Sequence, residues 1–298
     1  MLRFEEIQVA DVMTTPPLCF RPGTPARVAA QTLLEEGLHG APVVARGGPP
    51  REVSVEGLLR WLLDSPGGEE ALAGRSLGDL GLEPMLCRPA ELPFPEACQQ
   101  MVRAGVRRLL VADEAHPEPL GIFSAVDALR AVACLADLHR RSERARPAAR
   151  RVRDAMQRDV PSLQPGDPAR AALRLMAGRP SSHLPVVDGG EVVGIVSRRD
   201  LLDRCARELE EDGRASLDQP TWGVMTPGPL ETATPGEPLV AAIRRLERVG
   251  ALPVLEEGRL VGLLTRSDAL RDYAGALGGG GLLPAGLRAE ISALVALT

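Results

Sequence analysis

The chain has 298 residues, a net charge of −5, and a composition that is 44% hydrophobic and 25% charged. At about 150 residues per domain, this length predicts two domains, and the composition is sufficient to build hydrophobic cores. Aromatic residues make up only 2% of the chain, which disfavours readers of single-stranded nucleic acid, because these stack bases on aromatic rings. All basic residues are Arg, since the sequence contains no Lys, and this excludes a lysine Schiff base and a P-loop lysine.

Nothing in the sequence predicts a leader or a membrane anchor. Residues 1–10 contain Glu5 and Glu6 and no apolar core, so we expect no signal peptide. No stretch of about 18 apolar residues occurs, so no transmembrane helix is expected. The five cysteines are far apart and odd in number, with no C-x-x-C spacing. This usage predicts buried free thiols in a reducing cytoplasm.

A repeated turn divides the chain. The pattern P-G-x-P occurs at 22–25, 165–168 and 235–238, with a weaker version at 89–92. We predict that the third residue of the turn caps a helix and that the second proline lies in the first helical turn. In chain order, a short strand precedes each turn. An Ala/Leu/Arg-rich helix, an apolar strand, a tight turn, a second apolar strand and a second helix follow it.

The apolar strands mark the repeats most clearly. The strand after the first helix is predicted at 41–44, 109–111, 184–187 and 252–255, and the next strand at 119–123, 192–196 and 260–264. Regular spacing of these units predicts an α+β fold of four tandem β-α-β-β-α repeats. We place the repeats at 1–74, 75–137, 152–208 and 209–276, with an Arg-rich linker at 138–151 and a Gly-rich tail, ending in an amphipathic helix, at 277–298.

A Ser/Thr-x-x-Asp motif follows the last strand of three repeats. The motif runs from Ser124 to Asp127, from Ser197 to Asp200 and from Thr265 to Asp268, whereas the first repeat has Gly57 in place of the acid. Two interpretations are open. The motif is close to a capping box, which finishes a helix N-terminus and needs no ligand. Alternatively, the same helix start offers donors to an anion and an acid to the hydroxyls of a ribose.

These patterns together resemble the CBS domain, named for cystathionine beta-synthase. The resemblance is carried by the V-M-T segment, the helix after P-G-x-P, the L-P-V-V strand and the G-I-V-S-x-x-D ending, and it covers nearly the whole chain outside the linkers and tail. It implies four CBS repeats arranged as two pseudo-twofold pairs, called Bateman modules. It also implies that their clefts bind an adenosyl ligand such as AMP, ADP, ATP or S-adenosylmethionine.

The resemblance implies a role for each matching position. The ribose would be bound by acids with help from neighbouring hydroxyls, namely Asp127, Asp200 and Asp268 with Ser124, Ser197 and Thr265. Adenine would be lined by Val160 and Pro161 in the third repeat and by Pro229 and Leu230 in the fourth. Phosphates would be contacted by basic residues just before the first long strand, namely His39, Arg107, Arg108 and His183. From their place in the motif, Arg198, Arg199 and Arg266 are predicted to reach further phosphates. Because Gly57 has no carboxylate, we expect at most one site in the N-terminal module and two in the C-terminal one.

The sequence therefore predicts a non-enzymatic regulatory protein that senses an adenine nucleotide or another adenosyl ligand. No required cofactor, metal cluster or catalytic motif is apparent. We expect a homodimer with an unidentified protein partner, in the cytoplasm and away from membranes. Two alternatives stay open: a ligand-free interaction scaffold, and a nucleic-acid-linked regulator acting through residues 140–153, which the negative net charge disfavours.

Overall fold

The computed structural model describes residues 2–3, 7–64, 74–113, 118–141, 150–177, 179, 181–211, 217–276 and 282–283. Most of the Arg-rich linker and the helix expected in the tail lie outside the described residues. Within them, no helix combines the length and apolar character needed to cross a bilayer. None of the five cysteines forms a disulfide bond among the described residues, and Cys98 and Cys205 are buried. Cys19 is exposed, so the expectation of buried thiols is wrong at that position.

The elements follow the predicted order. After β1 (Leu2–Arg3), the first repeat contains α1 (Ala26–Glu35), β2 (Gly40–Val43), β3 (Arg51–Ser54) and α2 (Val55–Asp64). The second repeat contains β4 (Glu83–Pro84), β5 (Cys87–Arg88), α3 (Phe94–Ala104), β6 (Arg108–Val111), β7 (Gly121–Ser124) and α4 (Ala125–Arg141). The third repeat contains α5 (Val152–Ala155), α6 (Arg170–Met176), β8 (His183–Asp188), β9 (Glu191–Ser197) and α7 (Arg198–Glu211). The fourth repeat contains β10 (Thr226–Pro227), α8 (Leu239–Leu246), β11 (Ala251–Glu256), β12 (Arg259–Thr265) and α9 (Arg266–Ala276), before β13 (Leu282–Leu283).

Each repeat has a small sheet of the predicted kind. The two long strands of a repeat pair antiparallel, as β8 does with β9 and β11 with β12. The strand expected before each P-G-x-P turn is β5 in the second repeat, which runs parallel to β6. In the other repeats it is a single parallel bridge residue, namely Phe20, Leu163 or Ala233. The predicted α+β fold of four repeats is therefore confirmed.

The P-G-x-P turn starts its helix differently from the prediction. In the first and fourth repeats the N-cap residue is the second proline, Pro25 or Pro238, and no side chain caps the helix. The third residue closes the turn instead. The backbone N–H of Arg21 donates to Thr24 Oγ1 at 3.2 Å, and that of Gln164 donates to Asp167 Oδ2 at 2.7 Å. The carbonyl groups of the turn are thereby left for another segment of the chain.

That segment is the start of a different repeat. We call residues 7–14, 77–84, 152–157 and 221–227 the exchanged segments. In the first repeat, Val9 N donates to Leu92 O at 2.9 Å, and Thr14 N donates to Ile122 O at 2.8 Å, so the segment lies on the second repeat. The second repeat reciprocates, because Leu77 N donates to Thr24 O at 2.9 Å and β4 extends the sheet of β3.

The third and fourth repeats exchange segments in the same way. Val152 N donates to Glu237 O at 2.9 Å, and Gln157 forms an antiparallel bridge with Leu263. Conversely, Thr221 N donates to Asp167 O at 2.7 Å, and β10 pairs with β9. Sequence order assigns the V-M-T segment to the repeat that it begins, whereas the structure pairs it with the last strand of the neighbouring repeat.

The exchange explains why a glycine and a methionine recur at fixed places in the repeats. A methyl group on Gly262 would lie 2.6 Å from Gln157 O and 2.8 Å from Met156 Sδ. Gly121 stands in the same relation to Met13, and Gly194 to Met225. The glycine of G-I-V-S therefore makes room for the methionine and backbone of an exchanged segment.

The chain divides into two compact units. The first contains Met1–Pro17, Leu86–Val160 and Glu231–Thr298, and the second contains Leu18–Met85 and Pro161–Leu230. In the first unit, helices α3 and α4 pack against α8 and α9 around a core that includes an edge-to-face Phe94–Phe123 pair. In the second unit, α1 and α2 pack against α7 around a core of aliphatic side chains such as Leu33 and Leu58.

Candidate functional site

The three Ser/Thr-x-x-Asp motifs form capping boxes. In the third repeat, β9 ends at Ser197 and α7 begins at the next residue. Asp200 Oδ2 accepts hydrogen bonds from the Ser197 backbone N–H and hydroxyl, both at 2.7 Å, and Ser197 Oγ accepts from Asp200 N at 3.2 Å. The motifs that end in Asp127 and Asp268 have the same contacts. The capping interpretation is thus satisfied in each motif, and any ligand must use the acceptor capacity that remains.

The carboxylates differ in that remaining capacity. Asp200 Oδ1 accepts no hydrogen bond from the described residues, and the side chain is half-buried. Asp127 is buried, and its Oδ1 accepts from Thr14 Oγ1 at 2.9 Å. Asp268 is also buried. Its Oδ2 accepts from Gln157 Nε2 at 2.9 Å, and its Oδ1 from Arg271 Nη1 at 3.1 Å.

Burial also sets the acidity of two of these groups. Desolvation raises the pKa of Asp200 above its ordinary value of 3.8, against the lowering effect of the hydrogen bonds from Ser197. Desolvation likewise raises the pKa of Asp127, where Ser124 and Thr14 donate to the carboxylate and oppose the effect. Both aspartates therefore bind a proton more tightly in the folded chain than in the unfolded chain.

The arginines of the motifs contact helix ends. Arg198 Nη2 donates to the carbonyl of Met176, at the end of α6, at 2.9 Å, and Nη1 lies 3.1 Å from Glu56 Oε2 as an ion pair outside hydrogen-bond geometry. Arg266 Nε donates to Leu246 O, at the end of α8, at 2.6 Å. Arg199 donates to Leu34 O near the end of α1. A guanidinium group carries five N–H donors, so these bonds do not exclude a phosphate, and phosphate contact by the three arginines stays a prediction.

The remaining basic residues lie near the start of the first long strand. His183 and Arg108 are the first residues of β8 and β6, and each is paired across the sheet with the serine of its own motif, Ser197 or Ser124. Directly opposed side chains share one face of a sheet, so the structure brings these two residues to their motifs. His39 and Arg107 are half-buried residues immediately before β2 and β6. The structure does not test phosphate contact by these four residues, which stays a prediction.

The residues expected to line adenine follow exchanged segments. Pro229 and Leu230 come one residue after β10, which pairs with β9 of the third repeat. They therefore follow a strand in the sheet that carries Asp200, although sequence order assigned them to the fourth repeat. Val160 and Pro161 come after Gln157, which bridges to β12 of the fourth repeat. Contact with adenine stays a prediction for all four residues.

Comparison with known families settles the class of the protein. The model of the CBS domain matches residues 9–64, 87–134, 152–207 and 222–275. The chain belongs to the CBS domain family. A protein from Methanocaldococcus jannaschii, described as a candidate archaeal homolog of g-AMPK, has 19% sequence identity and a TM-score of 0.76. The match covers 89% of this chain and 99% of that one. At that identity the likeness shows the CBS fold alone.

Curated relatives match parts of the CBS chain. A homoserine O-acetyltransferase of Methanococcoides burtonii is 35% identical over 40% of this chain and 23% of its own length. An uncharacterized 33.4 kDa protein in the ribosomal RNA operon of Thermofilum pendens is 26% identical over 59% of this chain and 57% of its own length. The chain thus spans less than two thirds of these relatives. CBS pairs are regulatory rather than catalytic domains, so the name of the acetyltransferase does not describe this chain.

Sequence reasoning missed the partners that the motif acids take from exchanged segments. Thr14 and Gln157 occupy equivalent places in the CBS repeats, since each bridges to the strand residue two positions before the motif hydroxyl. Thr226 holds the same place opposite Ile195 in the third repeat, but it donates no hydrogen bond to Asp200. The position after the methionine is polar in all three segments. That signal could have identified the donors only if the exchange had been known.

Proposed function

We propose that this protein is a non-catalytic regulator that binds an adenine nucleotide or another adenosyl ligand, with Asp200 of the third repeat as the primary ribose acceptor. The observation that carries the proposal is Oδ1 of Asp200, which accepts no hydrogen bond from the described residues and belongs to a half-buried side chain in the first turn of α7. Membership of the CBS family supports it. AMP, ADP, ATP and S-adenosylmethionine share the adenosyl group that such a site would recognise.

The chemistry of the site fits a sugar with two adjacent hydroxyls. Oδ1 of Asp200 retains two lone pairs after the capping box has used Oδ2, and hydrogen bonds to an ionised acceptor are among the strong ones. The start of α7 supplies backbone N–H groups that favour a negative group. His183, opposite Ser197 in the sheet, is a predicted phosphate contact of this repeat.

Binding would regulate by changing a conformational equilibrium. A ligand shifts that equilibrium only by the difference between its affinities for the two states. We also propose a responding protein partner, a homodimer and a cytoplasmic location. The adenosyl compound is the only small molecule that we propose, and it acts as a regulatory ligand rather than a cofactor.

Asp200→Asn tests the site directly. We expect it to weaken the binding of the preferred adenosyl compound by about tenfold to a hundredfold, because a hydrogen bond to a charged group contributes about 1.5–3 kcal/mol. AMP, ADP, ATP and S-adenosylmethionine would each be titrated by calorimetry into the full chain. Asp203→Asn, on the same helix, is the matched control and should bind as the wild type does. Equal binding by the Asp200 variant would contradict the site. Absence of binding by all four compounds would favour the ligand-free scaffold, which the complete capping boxes also fit.

The raised pKa of Asp200 predicts how binding depends on pH. Asp200 holds its proton to a higher pH in the folded chain than in the unfolded chain, because its pKa is raised above 3.8 by folding. Ionisation of Asp200 therefore lowers the free energy of unfolding as the pH rises from the unfolded to the folded pKa. Only the ionised form accepts from both hydroxyls. Adenosyl affinity should therefore fall as the pH is lowered through the raised pKa, whereas Asp200→Asn should lack that dependence. The nearby charges of Arg199 and Asp203 oppose each other in setting the pKa.

A further inference from the structure

We propose that Thr14 and Gln157 compete with the ribose for the acids of the second and fourth repeats. In consequence the Asp200 site fills first, and occupancy of the other two sites loosens an exchanged segment. This regulation rests on the proposed function, because it requires that the motif acids accept a ribose. It adds an order of filling and a structural response that the CBS fold does not by itself specify.

The order follows from the acceptor capacity of a carboxylate, which has about four lone-pair positions. The capping box uses two of these positions at Asp200. Three are used at Asp127, because Thr14 adds one. Four are used at Asp268, because Gln157 donates to Oδ2 beside the capping box and Arg271 donates to Oδ1. A pair of ribose hydroxyls needs two positions, so only Asp200 accepts the ribose without losing an existing bond.

At the second repeat, ribose binding would break the hydrogen bond from Thr14 to Asp127, and Thr14 lies in the first exchanged segment. Thr14 N donates to Ile122 O at 2.8 Å and Ile122 N donates to Thr14 O at 3.0 Å. The backbone of Thr14 is thus bonded to β7, while its side chain is bonded to Asp127 in α4. Thr15 Oγ1 donates to Leu120 O at 3.0 Å as a further anchor. Ribose binding at Asp127 would thus remove one of several ties, which loosens the segment without detaching it.

The fourth repeat has the same arrangement with a longer side chain. Gln157 and Leu263 exchange both backbone hydrogen bonds at 2.9 Å, while the Gln157 amide holds the acid. Because Arg271 must also be displaced from Oδ1, Asp268 should be the last acid to bind a ribose. In the third repeat Thr226 occupies the equivalent place without a bond to Asp200, so filling of that site disturbs no exchanged segment.

The test uses the full chain in an Asp200→Asn background, so that AMP reports on the two competed sites. Thr14→Val removes the donor and keeps the volume of the side chain. We expect it to tighten the calorimetric affinity for AMP by about three- to tenfold, the effect of one competing hydrogen bond. Two control variants should bind AMP as the Asp200→Asn background does. Thr14→Ser keeps the hydrogen-bond donor, and Thr226→Val changes a residue that donates no hydrogen bond to its motif acid.

Hydrogen exchange supplies a second readout on the chain with native Asp200. Saturating AMP should speed exchange of the Thr14 and Ile122 amides while leaving the Thr226 amide unchanged or slower. If Thr14→Val binds AMP no better than Thr226→Val, or if AMP slows the Thr14 amide, the competition is overturned and the Asp200 site stands. If the wild-type chain binds no AMP at any concentration tested, both the site and the competition fail for this ligand.

Discussion

Replacing Gly262 with alanine should destabilise the fourth repeat by about 3 kcal/mol or more, because overpacking of a tight site costs about 1–3 kcal/mol and occasionally exceeds that range. The added methyl group would lie 2.6 Å from the carbonyl oxygen of Gln157 and 2.8 Å from Met156 Sδ. The sulfur belongs to a flexible side chain, but the carbonyl is part of the backbone bridge to Leu263. Relief of the clash must therefore move the exchanged segment away from β12.

Denaturant unfolding would measure the effect. Gly166→Ala is the matched control, since a methyl group at that turn glycine meets no atom within 4 Å, and it should change the unfolding midpoint little. Gly194→Ala should resemble the Gly262 variant, because the new methyl group would clash with Met225 Sδ and lie 3.0 Å from Thr226 O. Equal midpoints for the variants at 262 and 166 would show that the exchanged segment does not pack as described.

Truncating the first exchanged segment should loosen the second repeat rather than the first. Ile7 and Val12 are buried in the core of the first unit, together with Phe94 and Leu109. The double variant Ile7→Ala, Val12→Ala should lower the free energy of unfolding of that core by about 3–5 kcal/mol, given that large-to-small core substitutions cost about 2–5 kcal/mol for an Ile. This is a large part of the stability of a typical domain.

Hydrogen exchange would locate the loss. The amides of β6 should exchange faster in the double variant, while those of β2, in the second unit, should keep their protection. Val28→Ala provides the control, because Val28 is 44% exposed on α1 and its truncation opens no cavity. Faster exchange in β2 with unchanged β6 would mean that the segment stabilises the repeat that it begins, as sequence order implies.

Both predictions depend on long-range pairing that local sequence patterns do not contain. The repeats themselves were predictable, because P-G-x-P turns, apolar strands and motif spacing recur along the chain. The capping boxes were predictable for the same reason, since their hydrogen bonds join residues three positions apart. Gly105, which ends α3 in a left-handed conformation with φ of 67°, follows the rule for helix C-termini.

The placement of the long motif side chains was not predictable in this way. Arg198, Arg199 and Arg266 follow the motif hydroxyls closely, which favoured a role in phosphate binding. Each donates to a helix carbonyl on another element, as Arg199 does to Leu34 in the first repeat, while phosphate contact stays a prediction. A long guanidinium group has many partners within reach, and the choice among them depends on which helix ends pack nearby.

The sequence by itself determined the class of the fold, the number of repeats and the acids that remain candidates for a ribose. These features depend on residues within one repeat, where hydrogen bonds and apolar periodicity are local. Only the tertiary structure decided that starting segments are exchanged between repeats. It also decided that, of the three motif acids, Asp200 alone keeps an oxygen that accepts no hydrogen bond from the described residues. Thr14 and Asp127 are 113 positions apart, and a bond over such a distance is formed by packing of whole elements, which no spacing along the chain encodes.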